Sequence, residues 1–248
     1  MNGFIGIIVL DLKRLWINRI RVVTSLAQPL LYLFVLGSGI GANSRIGSEE
    51  YQRYIFPGVL ALSLLFTASS AAIAIVVDRQ VGFLKAVLVA PISRTAIAFG
   101  KIATGAVQAL LPGMILLLFA PLIGISFTLG ALLQLLPAML LSTLVFSALG
   151  VGFAARLSNI TVFPVFSNML LLPLFFLSGA IYSLDHAPEW LKMLARFDPV
   201  AYAVDLMRGS LSGRYVFPVP LSLAVLLGFL AVFAYAAIQV FDSGDNDN

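Results

Sequence analysis

The chain alternates between long apolar stretches and short segments that hold all of its charge. Six stretches, about 22–41, 54–77, 102–125, 127–155, 157–184 and 215–241, contain no Asp, Glu, Lys, Arg or His. The 15 Lys and Arg, the 11 Asp and Glu and the single His186 lie between or beyond them. A helix needs about 20 mostly apolar residues to cross a bilayer, so each stretch predicts a transmembrane span. Residues 102–155 decide the count, because those 54 residues carry no charge. As one helix they would reach roughly 80 Å, against a hydrocarbon core of ~30 Å. The chain is therefore expected to fold back at Gly124-Ile-Ser-Phe-Thr-Leu-Gly130.

The polar segments are themselves patterned. In 1–21, Ile5, Ile8, Leu12, Trp16 and Ile20 recur every three or four residues, and Asp11, Arg14, Asn18 and Arg21 do so on another face. That predicts an amphipathic helix lying in the membrane interface, with a cytoplasmic extension of the first span as the alternative. Between spans two and three, Phe83, Leu84, Val87 and Leu88 recur at helical spacing among Asp78, Arg79, Lys85, Arg94 and Lys101, until Pro91 breaks the run. A short amphipathic helix parallel to the membrane can dock into a groove on a soluble partner, or pack beneath the bundle. Between spans five and six, Asp185 to Pro188 reads as a helix start, with Glu189 in its first turn. Trp190, Leu191, Leu194 and Phe197 give that helix an apolar face, and Asp198-Pro199 ends it and opens a second. Two such pieces predict re-entrant or interfacial helices outside the membrane core.

Composition narrows the chemistry. Hydrophobic residues make up 60% of the chain and charged residues 10%, whereas soluble domains carry about 25% charge. The charged residues of 1–21 leave no apolar core for a cleavable signal. There is no Cys, and His186 stands alone, so no disulfide, thiolate nucleophile or metal site is expected. Lys and Arg sort by connection. Lys13, Arg14, Arg19 and Arg21 precede span one; Arg79, Lys85, Arg94 and Lys101 separate spans two and three; Arg156 separates four and five. The opposite side holds Arg45, Arg53, Lys192, Arg196, Arg208 and Arg214. The bias puts both termini in the cytoplasm, and explains the net charge of +4 without nucleic acid. Within the spans, Gln28, Gln108, Gln134 and Asn168 are uncharged amides, which hydrogen-bond between helices by default. Gln28, Gln108 and Asn168, with Phe175 and Phe176, are the candidate lining of a translocation path. Nine of the 12 prolines fall inside these stretches, which transmembrane helices commonly tolerate.

The two polar connections together resemble the ABC-2-type permeases, the membrane subunits of ABC exporters. Asp78…Gly82-Phe-Leu…Pro91-Ile-Ser-Arg94…Gly100-Lys101 resembles that family's segment between spans two and three. Phe176-Leu-Ser-Gly-Ala…Pro188-Glu-Trp-Leu…Asp198-Pro-Val…Tyr202…Asp205…Arg208 resembles its segment after span five. One departure is Lys85-Ala86, where the family often places a Glu.

The resemblance implies an all-α membrane domain over 1–241 with six spans, followed by an acidic cytoplasmic tail at 242–248. It implies that 78–94 couples to a separate ATPase subunit, through Asp78, Arg79, Gly82, Phe83, Leu84, Lys85, Pro91 and Arg94. Pro188, Trp190, Asp198, Pro199 and Arg208 mark the external re-entrant segment. The sequence has no Gly-x-x-x-x-Gly-Lys-Ser/Thr loop, so ATP and Mg would be bound by the ATPase, in two copies, and this chain would carry no catalytic residue. Six spans are half of a usual pathway, so a second copy of the permease is expected, surrounded by inner-membrane lipid. An ion-coupled secondary transporter is the main alternative, although charge-free spans exclude a proton relay built on intramembrane acids. A membrane enzyme would need clustered acids, and only Glu49-Glu50 are adjacent.

Overall fold

A computed structural model describes residues 13, 19–43, 47–82, 93–157 and 159–243. Most of the expected interfacial helix over 1–21, the connection from Phe83 to Ile92, and residues 244–248 of the acidic tail lie outside the described residues. Among the described residues every regular element is helical. We number α1 (Arg19–Leu31), α2 (Gly37–Asn43), α3 (Ser48–Ala71), α4 (Ile73–Gln80), α5 (Arg94–Leu117), α6 (Leu129–Ala154), α7 (Val162–Leu177), α8 (Glu189–Ala195), α9 (Pro199–Ser212) and α10 (Val219–Ser243).

Five helical segments are long and apolar enough to cross a membrane: Val22–Asn43, Ser48–Gln80, Arg94–Leu117, Leu129–Ala154 and Val219–Gln239. The chain is thus a multi-pass membrane protein. A sixth apolar helix, α7, is shorter; its 16 residues give a rise of about 24 Å. The first segment runs through a π turn, Tyr32–Leu36, one turn beyond Pro29. The second is interrupted for one residue at Ala72, between α3 and α4.

The fold-back expected at 124–130 is present. Gly124 adopts φ 74°, a left-handed conformation that glycine enters without a Cβ penalty. Thr128 then caps α6, its hydroxyl accepting from the Ala131 amide. Arg53 Nε fastens the turn to α3 by donating to the Ile123 carbonyl at 2.8 Å.

The centre of the molecule is α3. It packs against α5, α6 and α9, with α1 and α2 along one side. Phe56, Leu60, Leu64 and Leu65 are fully enclosed there, with Phe146 of α6. The Ser69 hydroxyl donates across to the Phe146 carbonyl at 3.3 Å. Lipid tails are as apolar as leucine, so close packing and such interhelical bonds hold the bundle, rather than hydrophobic exclusion from water. The outward faces remain apolar, with Leu129, Leu133, Leu136 and Leu140 along α6 and Val165, Met169 and Phe176 along α7 all exposed.

Candidate coupling end, path and external segment

The polar anchors collect at the two ends of the bundle. At one end lies the root of the 78–94 connection. Asp78 is 4% exposed, and Lys101 on α5 reaches its Oδ2 at 3.2 Å. Arg79 donates to the Ala155 carbonyl at 2.6 Å and the Leu157 carbonyl at 3.5 Å. Ala155 and Leu157 follow the last turn of α6, where helix carbonyls lack intrahelical donors and a cation is favoured. Gly82, φ 75°, follows the end of α4, and its amide donates to the Arg79 carbonyl. Ser93 starts α5 as an N-cap, accepting from the Ala96 amide at 3.3 Å, and Arg94 is the first, half-buried helical residue. Of the expected coupling residues, Asp78 and Arg79 therefore tie the segment into α5 and α6. Phe83, Leu84, Lys85 and Pro91 lie outside the described residues.

Midway along the spans, a cavity of about 210 Å³ opens between α1 and α3. Thr24, Ser25 and Gln28 line it from α1, with Ser63, Thr67 and Ser70 from α3 and Leu62 and Phe66 as apolar wall. Among the described residues, no charged side chain lines it and the buried Ser63 Oγ has no hydrogen-bond partner. α7 joins this side of the bundle through an edge-on contact of Tyr32 with Phe175, ring centroids 6.2 Å apart. Phe175 is fully enclosed and packs against Phe176, whose ring is exposed. Asn168 is exposed on α7. Gln108 is half-buried on α5 and is not part of the cavity wall, and Gln134 accepts from the Tyr215 hydroxyl. The five path candidates thus divide: Gln28 lines the cavity, Gln108 lies outside its wall, Phe175 packs against the π turn after α1, and Asn168 and Phe176 are exposed.

The opposite end holds the segment after α7. Asp198 caps α9, its Oδ1 accepting from the Val200 amide at 2.8 Å, and Pro199 supplies the first helical residue. Burial raises the Asp198 carboxyl from its ordinary 3.8 to about 8, offset in part by the Val200 amide. Its buried Oδ2 has no partner. Asp205 accepts from the Val216 and Phe217 amides at 2.7 and 3.1 Å, which fixes the turn into α10. Arg208 donates to the Gly179 and Ala180 carbonyls at 3.1 and 3.2 Å, and lies 4.4 Å from the Tyr54 ring centre. Tyr51 donates to the Ile181 carbonyl at 3.2 Å. Gly58 lets this crossing approach α3: a Cβ there would sit 2.3 Å from the Ala180 oxygen.

The expected short helices are present, with one adjustment at the start. Asp185 lies in a 3-10 turn, Leu184–His186, and α8 begins at Glu189 with Pro188 at its cap position. Trp190, Met193 and Phe197 are more than 60% exposed, so the apolar face of α8 points away from the subunit. The sequence alone did not reveal Tyr51, Tyr54 or Arg53 as anchors. In two of the three cases the partner is a backbone carbonyl, 70 and 130 residues away, and carbonyl acceptors carry no residue signal.

Comparison with known proteins adds an independent observation. The sequence model for "ABC-2 type transporter" matches residues 4–212. Nodulation protein J of Rhizobium leguminosarum bv. viciae is 29% identical over 214 residues, 85% of this chain and 82% of that protein. The same-named protein of Rhizobium leguminosarum bv. trifolii is 31% identical over 194 residues, 77% and 74% of the two chains. The inner membrane transport permease YadH of Escherichia coli strain K12 is 28% identical over 228 residues, 89% and 86%. With the family match spanning both polar connections and the helices between them, the chain belongs to the ABC-2 type transporter family.

Proposed function

We propose that this chain is the permease subunit of an ATP-driven exporter in the inner membrane, powered by a separate ATP-binding subunit that docks on 78–94. Both termini face the cytoplasm, α7 serves as the fifth of six spans, and two copies of the chain form the path. The observation that carries this reading is the root of the connection. Asp78 with Lys101 and Arg79 with the α6 terminus join the docking segment to α5 and α6 at once. A push on the segment therefore moves two spans and, through the α6–α7 turn, a third. Charge-assisted contacts of this kind are worth about 1.5–3 kcal/mol each when partly buried, enough to transmit a displacement instead of fraying. The cargo class follows from the cavity between α1 and α3. Hydroxyls and one amide beside Phe66 and Leu62 suit an amphiphilic, lipid-linked or drug-like molecule with an uncharged hydrogen-bonding part. ATP and Mg belong to the partner, where the phosphate-binding loop absent here would reside.

The test is reconstitution in proteoliposomes with and without the cognate ATP-binding subunit, following a fluorescent lipid-like amphiphile. ATP-dependent movement that requires both subunits is expected. Movement by this chain alone, driven by an ion gradient, would replace this reading with the secondary transporter.

A further inference from the structure

A second and larger cavity, about 530 Å³, lies at the end of the bundle that carries α8 and α9. Its walls are of two kinds. Lys192, Arg196 and Asp185 line it with charge, and Tyr202, Phe217 and Leu221 with apolar surface. Tyr202 and Phe217 stack with ring centres 4.6 Å apart, so that wall is rigid. The Tyr202 hydroxyl donates to the Arg196 carbonyl at 2.9 Å, fixing the end of α8 over the opening. The two cations are available. Arg196 is exposed and has no ion-pair partner among the described residues, and Lys192 meets only the 89%-exposed Glu189, at 3.3 Å. Exposed pairs of that kind are weak and yield to a better anion.

The apolar wall does not stop at the cavity. From Leu221 the exposed face of α10 continues through Ala224, Gly228, Val232 and Tyr235, one helical turn at a time. A ligand seated here would meet cations at one end and an uninterrupted apolar track, parallel to a membrane-crossing helix, at the other.

We propose that this cavity binds an anionic membrane phospholipid, with its phosphate at Lys192 and Arg196 and an acyl chain along the Leu221–Tyr235 face of α10. A free anion would use the cations and leave the track empty, and a neutral amphiphile would use the track and leave the cations unmatched. The site needs only the multi-pass membrane architecture and is independent of cargo and of ATPase docking. It also gives the exposed apolar side chains of α8, Trp190 and Phe197, a place at the lipid boundary, where aromatic rings are favoured.

The test uses the intact chain in detergent, with phosphatidylglycerol, phosphatidylcholine or inorganic phosphate added, read by native mass spectrometry and by thermal unfolding. Phosphatidylglycerol is expected to be retained and to raise the melting temperature, with phosphatidylcholine and inorganic phosphate giving little of either. Each basic group near a membrane surface contributes roughly fivefold, so K192Q/R196Q should weaken phosphatidylglycerol retention about twenty-fivefold. K192R/R196K should restore it, which separates charge from a folding defect. Phe217→Ala should lower retention while leaving the cations in place. Equal retention by K192Q/R196Q and the parent chain would overturn the proposal. Protection by inorganic phosphate equal to that by phosphatidylglycerol would also overturn it, in favour of a soluble-anion site. Neither outcome bears on ATP-driven export.

Discussion

At the residue scale, the external segment depends on Asp198 and Gly58. Asp198 holds its proton in the folded protein near neutral pH, because its carboxyl is raised to about 8 by burial. In the unfolded chain it ionises above its ordinary 3.8. Its contribution to stability is therefore complete below that value and is lost as pH climbs toward 8. Melts of the solubilised protein should show lower stability at pH 9 than at pH 5. Asp198→Asn keeps an acceptor for the Val200 amide and cannot ionise, so the difference between the two pH values should shrink. Asp198→Ala should cost about 1 kcal/mol at pH 5, the usual worth of an N-cap. Gly58→Ala places a methyl group against the Ala180 carbonyl and should cost roughly 1–3 kcal/mol, as overpacking does. Gly228→Ala, with nothing within 4 Å of its Cβ, should be neutral or stabilise by up to ~1 kcal/mol. A melting temperature that falls as far for Gly228→Ala as for Gly58→Ala would contradict this account of the crossing.

At the scale of elements, the apolar pattern located five membrane-length helices but not their ends. Helices α3 and α5 begin at Ser48 and Arg94, ahead of the apolar borders at 54 and 102. Hydropathy marks where lipid begins, whereas a helix continues wherever backbone bonds and a cap allow. Ser93 is such a cap. The turn at Gly124 was legible because an 80 Å helix cannot fit a bilayer, and the α8–α9 break was legible in Asp198-Pro199. The interruption at Ala72 was not, because neither Gly nor Pro marks it. Nor did the sequence show the intramolecular contacts of Asp78 and Arg79, which bond to Lys101 of α5 and to the carbonyls just after α6. That sets an expectation for the coupling connection. Arg79→Gln should leave the ATP-binding subunit bound but lower transport per ATP hydrolysed several-fold, since the α6 terminus loses its charged donor. Paired measurements of co-purification and of transport against hydrolysis decide it; loss of co-purification would assign Arg79 to the docking surface.

At the scale of the whole molecule, the anchors separate into two sets. Asp78, Arg79 and Lys101 gather at one end, and Arg53, Asp198, Asp205 and Arg208 at the other. Between them, among the described residues, large apolar side chains are exposed on α1, α6, α7 and α10. Those of α1 and α7 flank the small hydroxyl-lined cavity and are the proposed meeting surface of two copies. Because the chain has no Cys, Val35→Cys and Met169→Cys can be oxidised without background. Disulfide-linked dimers are expected from at least one of them and none from Leu133→Cys on α6; failure at both would move the interface elsewhere. The central claim remains that energy enters this charge-free bundle from outside, through 78–94. Photocrosslinking from a benzophenone amino acid at position 85, with position 190 as the opposite-end control, tests it most directly in cells co-expressing the ATP-binding subunit. The account predicts a crosslink to that subunit from position 85 and none from position 190. Capture from position 190 alone would place the energy source at the wrong end of the molecule and contradict it.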